Sequence, residues 1–397
     1  MYYNKNLSKN AYLKNSVYYT QYDFELYSNF TFFLNNPDFG DQIREKEGRK
    51  LYGFTSEYNH TMHLGRLEGL MQAGLGLRHD QSLGNELSNT LNRISTLSTI
   101  RIGDIHETNL FGYLNTSLEL GQWVLNPALR LDYFKFNYNP FTLSGYETLA
   151  QNKSILSPKL NILFNPTNRL QLYIKTGKGF HSNDTRVVVE REGKEILPAV
   201  WGADIGMIWK PVRKLVFNAA LWHLFLEQEF VYVGDEGIVE PSGKTNRSGV
   251  DLSVRYQPLS WFYLDADANY AYARALGTPE GDDYIPLAPD FMLMSGMHVL
   301  HPSGLYGGVR MRHIDDRPAN EDNSIVAKGY TVFDVNAGYQ WRNLDCSFSI
   351  ENVFNTAWNE TQFATESRLR NEVEPVEEIH FIPGTPFNFK GSLAYKF

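Results

Sequence analysis

Apolar and polar residues take turns, one for one, along most of this chain. Over 250–257, Val250, Leu252, Val254 and Tyr256 alternate with Asp251, Ser253, Arg255 and Gln257. Residues 264–270 set Leu264, Ala266, Ala268 and Tyr270 against Asp265, Asp267 and Asn269. Residues 333–341 set Phe333, Val335, Ala337, Tyr339 and Trp341 against Asp334, Asn336, Gly338 and Gln340. The C-terminus does the same, with Phe389, Leu393, Tyr395 and Phe397 against Lys390, Ser392 and Lys396. Neighbouring side chains on a strand point to opposite faces, so each segment has one apolar and one polar face. Helical periodicity is hard to find.

The pattern predicts about sixteen strands. They lie near 17–34, 49–61, 69–80, 100–119, 122–138, 153–165, 169–179 and 199–210. The rest lie near 214–232, 246–258, 260–275, 288–300, 304–314, 328–341, 343–353 and 387–397. Short turns fall at Gly121, Pro166-Thr167-Asn168, Pro211-Val212-Arg213, Leu259, His301-Pro302-Ser303 and Arg342. Longer loops alternate with them near 35–48, 81–99, 139–152, 180–198, 233–245, 276–287, 315–327 and 354–386. Short turns at one end and long loops at the other describe an all-β, antiparallel up-and-down meander, the plan of a transmembrane β-barrel. On this reading 1–16 is a polar lead-in and 17–397 is barrel.

Tryptophan placement agrees. Trp123, Trp209, Trp261 and Trp341 each stand beside a short turn, as an interfacial girdle requires, because an amphipathic ring suits a half-wet layer. A charge facing mid-bilayer costs roughly 2–4 kcal/mol, so Asp251, Arg255, Asp265, Asp267, Asp334, Glu351 and Lys390, all on the polar parity, should face the lumen.

Composition narrows the choices. The 37 basic and 45 acidic residues leave a net charge of −8, unsuited to a nucleic-acid binder, whose affinity rests on neutralising phosphates. The longest unbroken apolar run is four residues, far below the roughly 20 that a spanning helix needs. The single Cys346 excludes an intrachain disulfide and a paired-thiol site. The polar start, Met1 to Asn15, has no signal-peptide core, and the strand pattern favours a true beginning further upstream.

Several motifs resemble the TonB-dependent outer-membrane receptors. Ser157-Pro158-Lys159-Leu160 precedes Gly177-Lys178-Gly179-Phe180-His181-Ser182-Asn183-Asp184, similar to that family's SPK strand and GF-containing loop. Ile350-Glu351-Asn352-Val353-Phe354-Asn355 with Trp358 is similar to its late asparagine box, and Ile382-Pro383-Gly384-Thr385-Pro386 leads into a strand closing on Phe397. Leu26-Tyr27-Ser28-Asn29-Phe30-Thr31 has the family's texture, so the likeness spans nearly the whole chain. It implies a plugged barrel of about 22 strands, so that roughly six strands, the plug and the TonB contact segment are expected elsewhere than in this chain. The arginine that the family places after the last proline is Phe387 here. The resemblance implies embedding in outer-membrane lipid, coupling to the TonB complex and uptake of a scarce nutrient. Siderophore, haem, cobalamin, metal chelate and glycan all remain open. A passive sixteen-stranded porin and a soluble adhesin or lectin are the alternatives.

Chemical motifs are sparse. Gly243-Lys244-Thr245 lacks the glycine of a phosphate loop, since Ile238 stands in its place. Gly177-Lys178-Gly179 reads as a turn with no helix after it. His60 and His63, three apart on a strand, face opposite sides. No Ser, His and acid can be brought together from the sequence, so no enzyme, resident cofactor or metal is expected. For ligand binding, His181, Asn183, Asp184 and Arg186 offer polar groups at the extracellular mouth. The acid pairs Asp282-Asp283 and Asp315-Asp316 are candidates for holding a cation.

Overall fold

The computed structural model describes all residues except 66, 142–148, 183, 191–195 and 234–237. Seventeen strands form one antiparallel sheet. It opens with β1 (Tyr2–Asn6), β2 (Ala11–Ser28), β3 (Ile43–Leu64), β4 (Leu67–Leu91), β5 (Ser95–Leu120) and β6 (Trp123–Pro140). β7 (Leu149–Thr167) and β8 (Leu170–Phe180) follow, then the short helix α1 (Thr185–Glu190). The wall continues through β9 (Ala199–Trp209), β10 (Leu215–Val233), β11 (Ile238–Leu259), β12 (Phe262–Leu276), β13 (Phe291–Leu300) and β14 (Leu305–Ile314). A small hairpin, β15 (Arg317–Pro318) and β16 (Val326–Ala327), precedes β17 (Tyr330–Trp341) and β18 (Leu344–Glu351). A second hairpin, β19 (Asn359–Ser367) and β20 (Val376–Pro383), leads to β21 (Asn388–Tyr395), which pairs with β18. The ends of the sheet are β1 and β21, and no ladder joins them among the described residues.

Turn chemistry sets one rim. β5 and β6 are joined through Gly121 at φ 61°, and β17 and β18 through Arg342 at φ 52°. Left-handed residues in two-residue turns match the twist of the flanking strands.

The expected parity holds on both faces. Leu252 and Tyr256 are exposed on the outer face, while the inward charges pair with one another. Arg255 meets Asp267 at 2.8 Å, Lys390 meets Glu351 at 2.8 Å, and Arg312 approaches Asp334 at 3.4 Å. Asp251 accepts hydrogen bonds from Trp222 Nε1 at 3.1 Å and Asn269 Nδ2 at 2.8 Å. Asp265 reaches Arg310 across Gly296, where a Cβ would come within 2.9 Å of the carboxylate oxygen. Solvated pairs of this kind contribute about 0–1 kcal/mol each, so they line the lumen more than they stabilise it.

The strand count and several boundaries differ from those expected. Residues 1–16 carry β1 and the first turns of the β2 ladder, which brings the sheet to seventeen strands. Every residue of β1 is exposed, so no apolar stripe marks it. The expected loop at 81–99 is mostly strand, because β4 and β5 continue upward with bulges. Gln81, Ser82, Asn85, Glu86, Ser88 and Asn89 put polar residues on both parities, although Ser82 and Ser88 are buried, so no alternation marks this stretch. Gly177 to Gly179 lie inside β8, and a helix does follow them.

A clasp spans the two ends of the sheet on the long-loop side. Arg368 donates to Phe33 O from Nε at 3.0 Å and Nη2 at 2.6 Å, and its backbone N–H donates to Thr31 O at 3.2 Å. Phe33 N–H returns a bond to Arg368 O at 3.0 Å. Phe30 packs edge-on against Phe363, and Phe32 stacks on His380.

Candidate functional site

The outer face is banded. Trp123, Trp209 and Trp341 are exposed at the short-turn rim, and Trp261 lies in the turn between β11 and β12. Trp123 also stacks on Phe164 with centroids 4.4 Å apart. Sequence reading missed Trp201, which is exposed at the other end of β9 on the same face as Trp209. Between them Ile205 is 59% exposed. Eight residues at about 3.3 Å each, tilted by about 40°, separate the two rings by roughly 20 Å in height, close to the apolar band of an outer-membrane barrel.

Inside the wall, the segment after β8 folds inward. Phe134, Phe136 and Ile155, on the inner parity of β6 and β7, are buried beneath Ile196, Leu197 and Ala199, and Phe180 packs against this cluster. Val189 of α1 is buried as well. This apolar patch explains why Phe180, Ile196 and Leu197 are not part of a solvated tip: Phe134 and Phe136 would otherwise face water.

The segment is pinned by ions. Arg186 donates to Asp184 from Nε at 2.9 Å and Nη2 at 2.7 Å, and its backbone N–H adds a third bond at 2.8 Å. Its Nη1 donates to Asn85 Oδ1 at 3.1 Å, and Asn85 Nδ2 donates to Glu47 Oε2 at 3.2 Å. Ser82 donates to the same Glu47 oxygen at 2.7 Å. Thus Asp184 and Arg186 are brought together, while His181 stands at the entry to the segment, its N–H bonded to Pro198 O at 3.2 Å. Asn183 lies outside the described residues. Asn85 and Glu47 were not legible in the sequence, since both fall in or beside stretches that read as loops.

Burial opposes ionisation of Asp184, but the Arg186 guanidinium outweighs it and holds the carboxyl below its usual range. A depressed folded-state value places the stabilisation above about pH 4, the ordinary aspartate value, and removes it as pH falls through the lower folded value. Asp184→Asn should therefore speed amide exchange in α1 about tenfold at pH 7, since charged hydrogen bonds contribute about 1.5–3 kcal/mol. The two proteins should converge in strong acid. Equal exchange at pH 7 would mean that the pair does not hold the segment.

Three of the four acids in the two pairs already have side-chain partners. Asp283 faces Arg274 at 3.7 Å, Asp315 meets His313 at 2.8 Å, and Asp316 meets Lys328 at 3.0 Å. No group of three metal-ligating side chains occurs among the described residues. A second inner concavity, about 440 Å³, lies against β13 to β18 and is lined by His298, Arg310, Arg312, Asp334, Glu351 and Trp358. There the Arg312 guanidinium lies 5.4 Å from the Trp358 ring centre. Gly243 to Thr245 lie within β11, away from any helix.

Residues 2–355 match the family model described as TonB dependent receptor-like, beta-barrel. Solved structures share the fold. The ferric citrate transporter FecA, in its unliganded form, superposes with a TM-score of 0.78 at 15% identity, covering 98% of this chain and 60% of that one. The siderophore receptor PiuA from Acinetobacter baumannii gives 0.77 at 13%, covering 99% and 63%. The copper transporter OprC gives 0.74 at 15%, covering 99% and 63%. The chain therefore spans about 60% of the length of the first of these, FecA.

Proposed function

This chain belongs to the TonB-dependent receptor β-barrel family, and on that premise we propose that it forms the wall of an outer-membrane receptor for nutrient uptake. The observation that carries the reading is the β9 face, an apolar stripe between Trp201 and Trp209, set against an inner wall of paired charges. Energy would come from the TonB complex, as the family implies. Ferric citrate, a siderophore and copper are named for the similar structures, and a metal or its chelate is the nutrient class proposed here. His181, Asp184 and Arg186, with Asn183 between them, are proposed to meet the ligand at the mouth, supported by the inward packing of Phe180, Ile196 and Leu197 on either side of them. Trp123, Trp209, Trp261 and Trp341 are proposed to sit at the periplasmic interface. No observation favours the porin or the adhesin.

Orientation provides the test. The last strand ends at the short-turn rim, so the β19–β20 hairpin should be extracellular. An epitope placed after Glu372, at the hairpin tip, should be reached by antibody on intact cells. One placed after Ser303 should be reached only after permeabilisation. Labelling in the opposite order would overturn the membrane placement.

A further inference from the structure

Three consecutive rows on the outer face of β2 to β6 change character abruptly. The lowest is Val17, Phe54, Leu77, Leu110 and Tyr133, all exposed and mutually in register. Above it run Tyr19, Tyr52, His79, Thr108 and Lys135, and then Gln21, Lys50, Gln81, His106 and Asn137. Tyr19 and Tyr52 have ring centres 5.1 Å apart, Tyr52 and His79 6.3 Å, and His79 and His106 6.0 Å. His79 Nδ1 is bound to Thr108 Oγ1 at 2.8 Å. The two upper rows carry two lysines, two imidazoles and no carboxylate. Neither Lys50 nor Lys135 has an acidic partner among the described residues. The next carboxylates on this face, Asp23 and Asp104, stand two residues further out.

Height fits a headgroup layer. His79 is about twelve residues beyond the start of β4, which at about 3.3 Å each and about 40° tilt is roughly 30 Å above the short-turn rim. That lies just over an apolar band about 25 Å tall. We propose that this patch binds the phosphate groups of outer-leaflet lipids, with Lys50 and Lys135 as the charge partners and His79 and His106 as donors between them. A lipid is the occupant, and not free phosphate, because the row directly beneath is exposed and apolar and needs acyl chains to cover it. The proposal rests on the membrane placement above.

The test is flotation of the full chain with phosphatidylcholine vesicles containing either bisphosphorylated or dephosphorylated lipid A. The chain's net charge of −8 should oppose binding to anionic vesicles, so a preference for phosphorylated lipid A reports a local site. Lys50→Gln/Lys135→Gln should weaken that preference about thirtyfold, at about fivefold per surface lysine. Lys159→Gln/Lys175→Gln, on the lumen face, changes net charge equally and should leave the preference intact. Flotation indifferent to phosphate, or equal loss in both double variants, overturns the site alone. Inorganic phosphate abolishing the preference at millimolar concentration overturns the lipid as its occupant. A chain that floats with no vesicle overturns the membrane placement, and the site with it.

Discussion

Ile205→Arg is expected to cost the membrane-inserted wall roughly 2–4 kcal/mol, read by urea titration in lipid vesicles of a receptor whose barrel is complete. Ile205 lies midway between Trp201 and Trp209 on the outer face of β9 and is 59% exposed. If those rings mark the two interfaces, residue 205 is at the midplane, where a guanidinium can reach neither headgroup layer without bending the sheet or thinning the lipid. Leu264 shares the outward parity but stands two residues into β12, beside Trp261. There an arginine can extend its stem to the interface, and the expected cost falls to about 0–1 kcal/mol. Asp265→Ala, on the inner face, leaves Arg310 with a side chain 44% exposed and able to rehydrate, so about 1 kcal/mol or less is expected. A Leu264→Arg cost as large as that of Ile205→Arg, or an Asp265→Ala cost above both, would refute the assignment of faces and depth.

These 397 residues on their own should give no steady unitary conductance in a planar bilayer. Met1 and β1 cover β2 only as far as Val17, so Tyr18–Ser28 has one bare edge, and β21 has another. About half the residues of an antiparallel edge direct both N–H and C=O outward. At several kcal/mol per unpaired group in hydrocarbon, β21 alone would exceed the roughly 5–15 kcal/mol by which a folded protein is stable. The edges must therefore find partners: strands from outside these 397 residues, or copies of them associating edge to edge in assemblies of uneven size. Uniform conductance steps, together with slow amide exchange along 18–28 and 388–395 in a monomer, would show a closed ladder and defeat this expectation.

The wall was readable because period-two alternation is a local property that survives whatever surrounds it. Asp251, Arg255, Asp265 and Lys390 fell on the inner face as their parity required. The pairing of Asp265 with Arg310 was not readable, because it depends on the register of two intervening ladders and on a glycine between them. The upper parts of β4 and β5 escaped for a different reason: a strand with polar residues on both parities has no alternation to detect. The inward packing of Phe180, Ile196 and Leu197 was hidden because its anchor, Phe134 and Phe136, reads as ordinary strand residues on β6. Only the structure shows that this stretch of inner wall is apolar and requires a cover.

The clasp has a kinetic consequence. It joins residues 335 positions apart, and for a flexible chain closing a loop of that length costs about 5 kcal/mol in entropy. A few hydrogen bonds and two ring contacts cannot supply that unaided. The meander between them removes the cost in instalments, each hairpin closing a short loop against its predecessor. Contact between Arg368 and Phe33 becomes affordable only when every strand from β2 to β18 is in place. The Arg368 amide, bonded to Thr31 O, is then the last to gain protection during assembly and among the first to lose it when any hairpin along the wall frays.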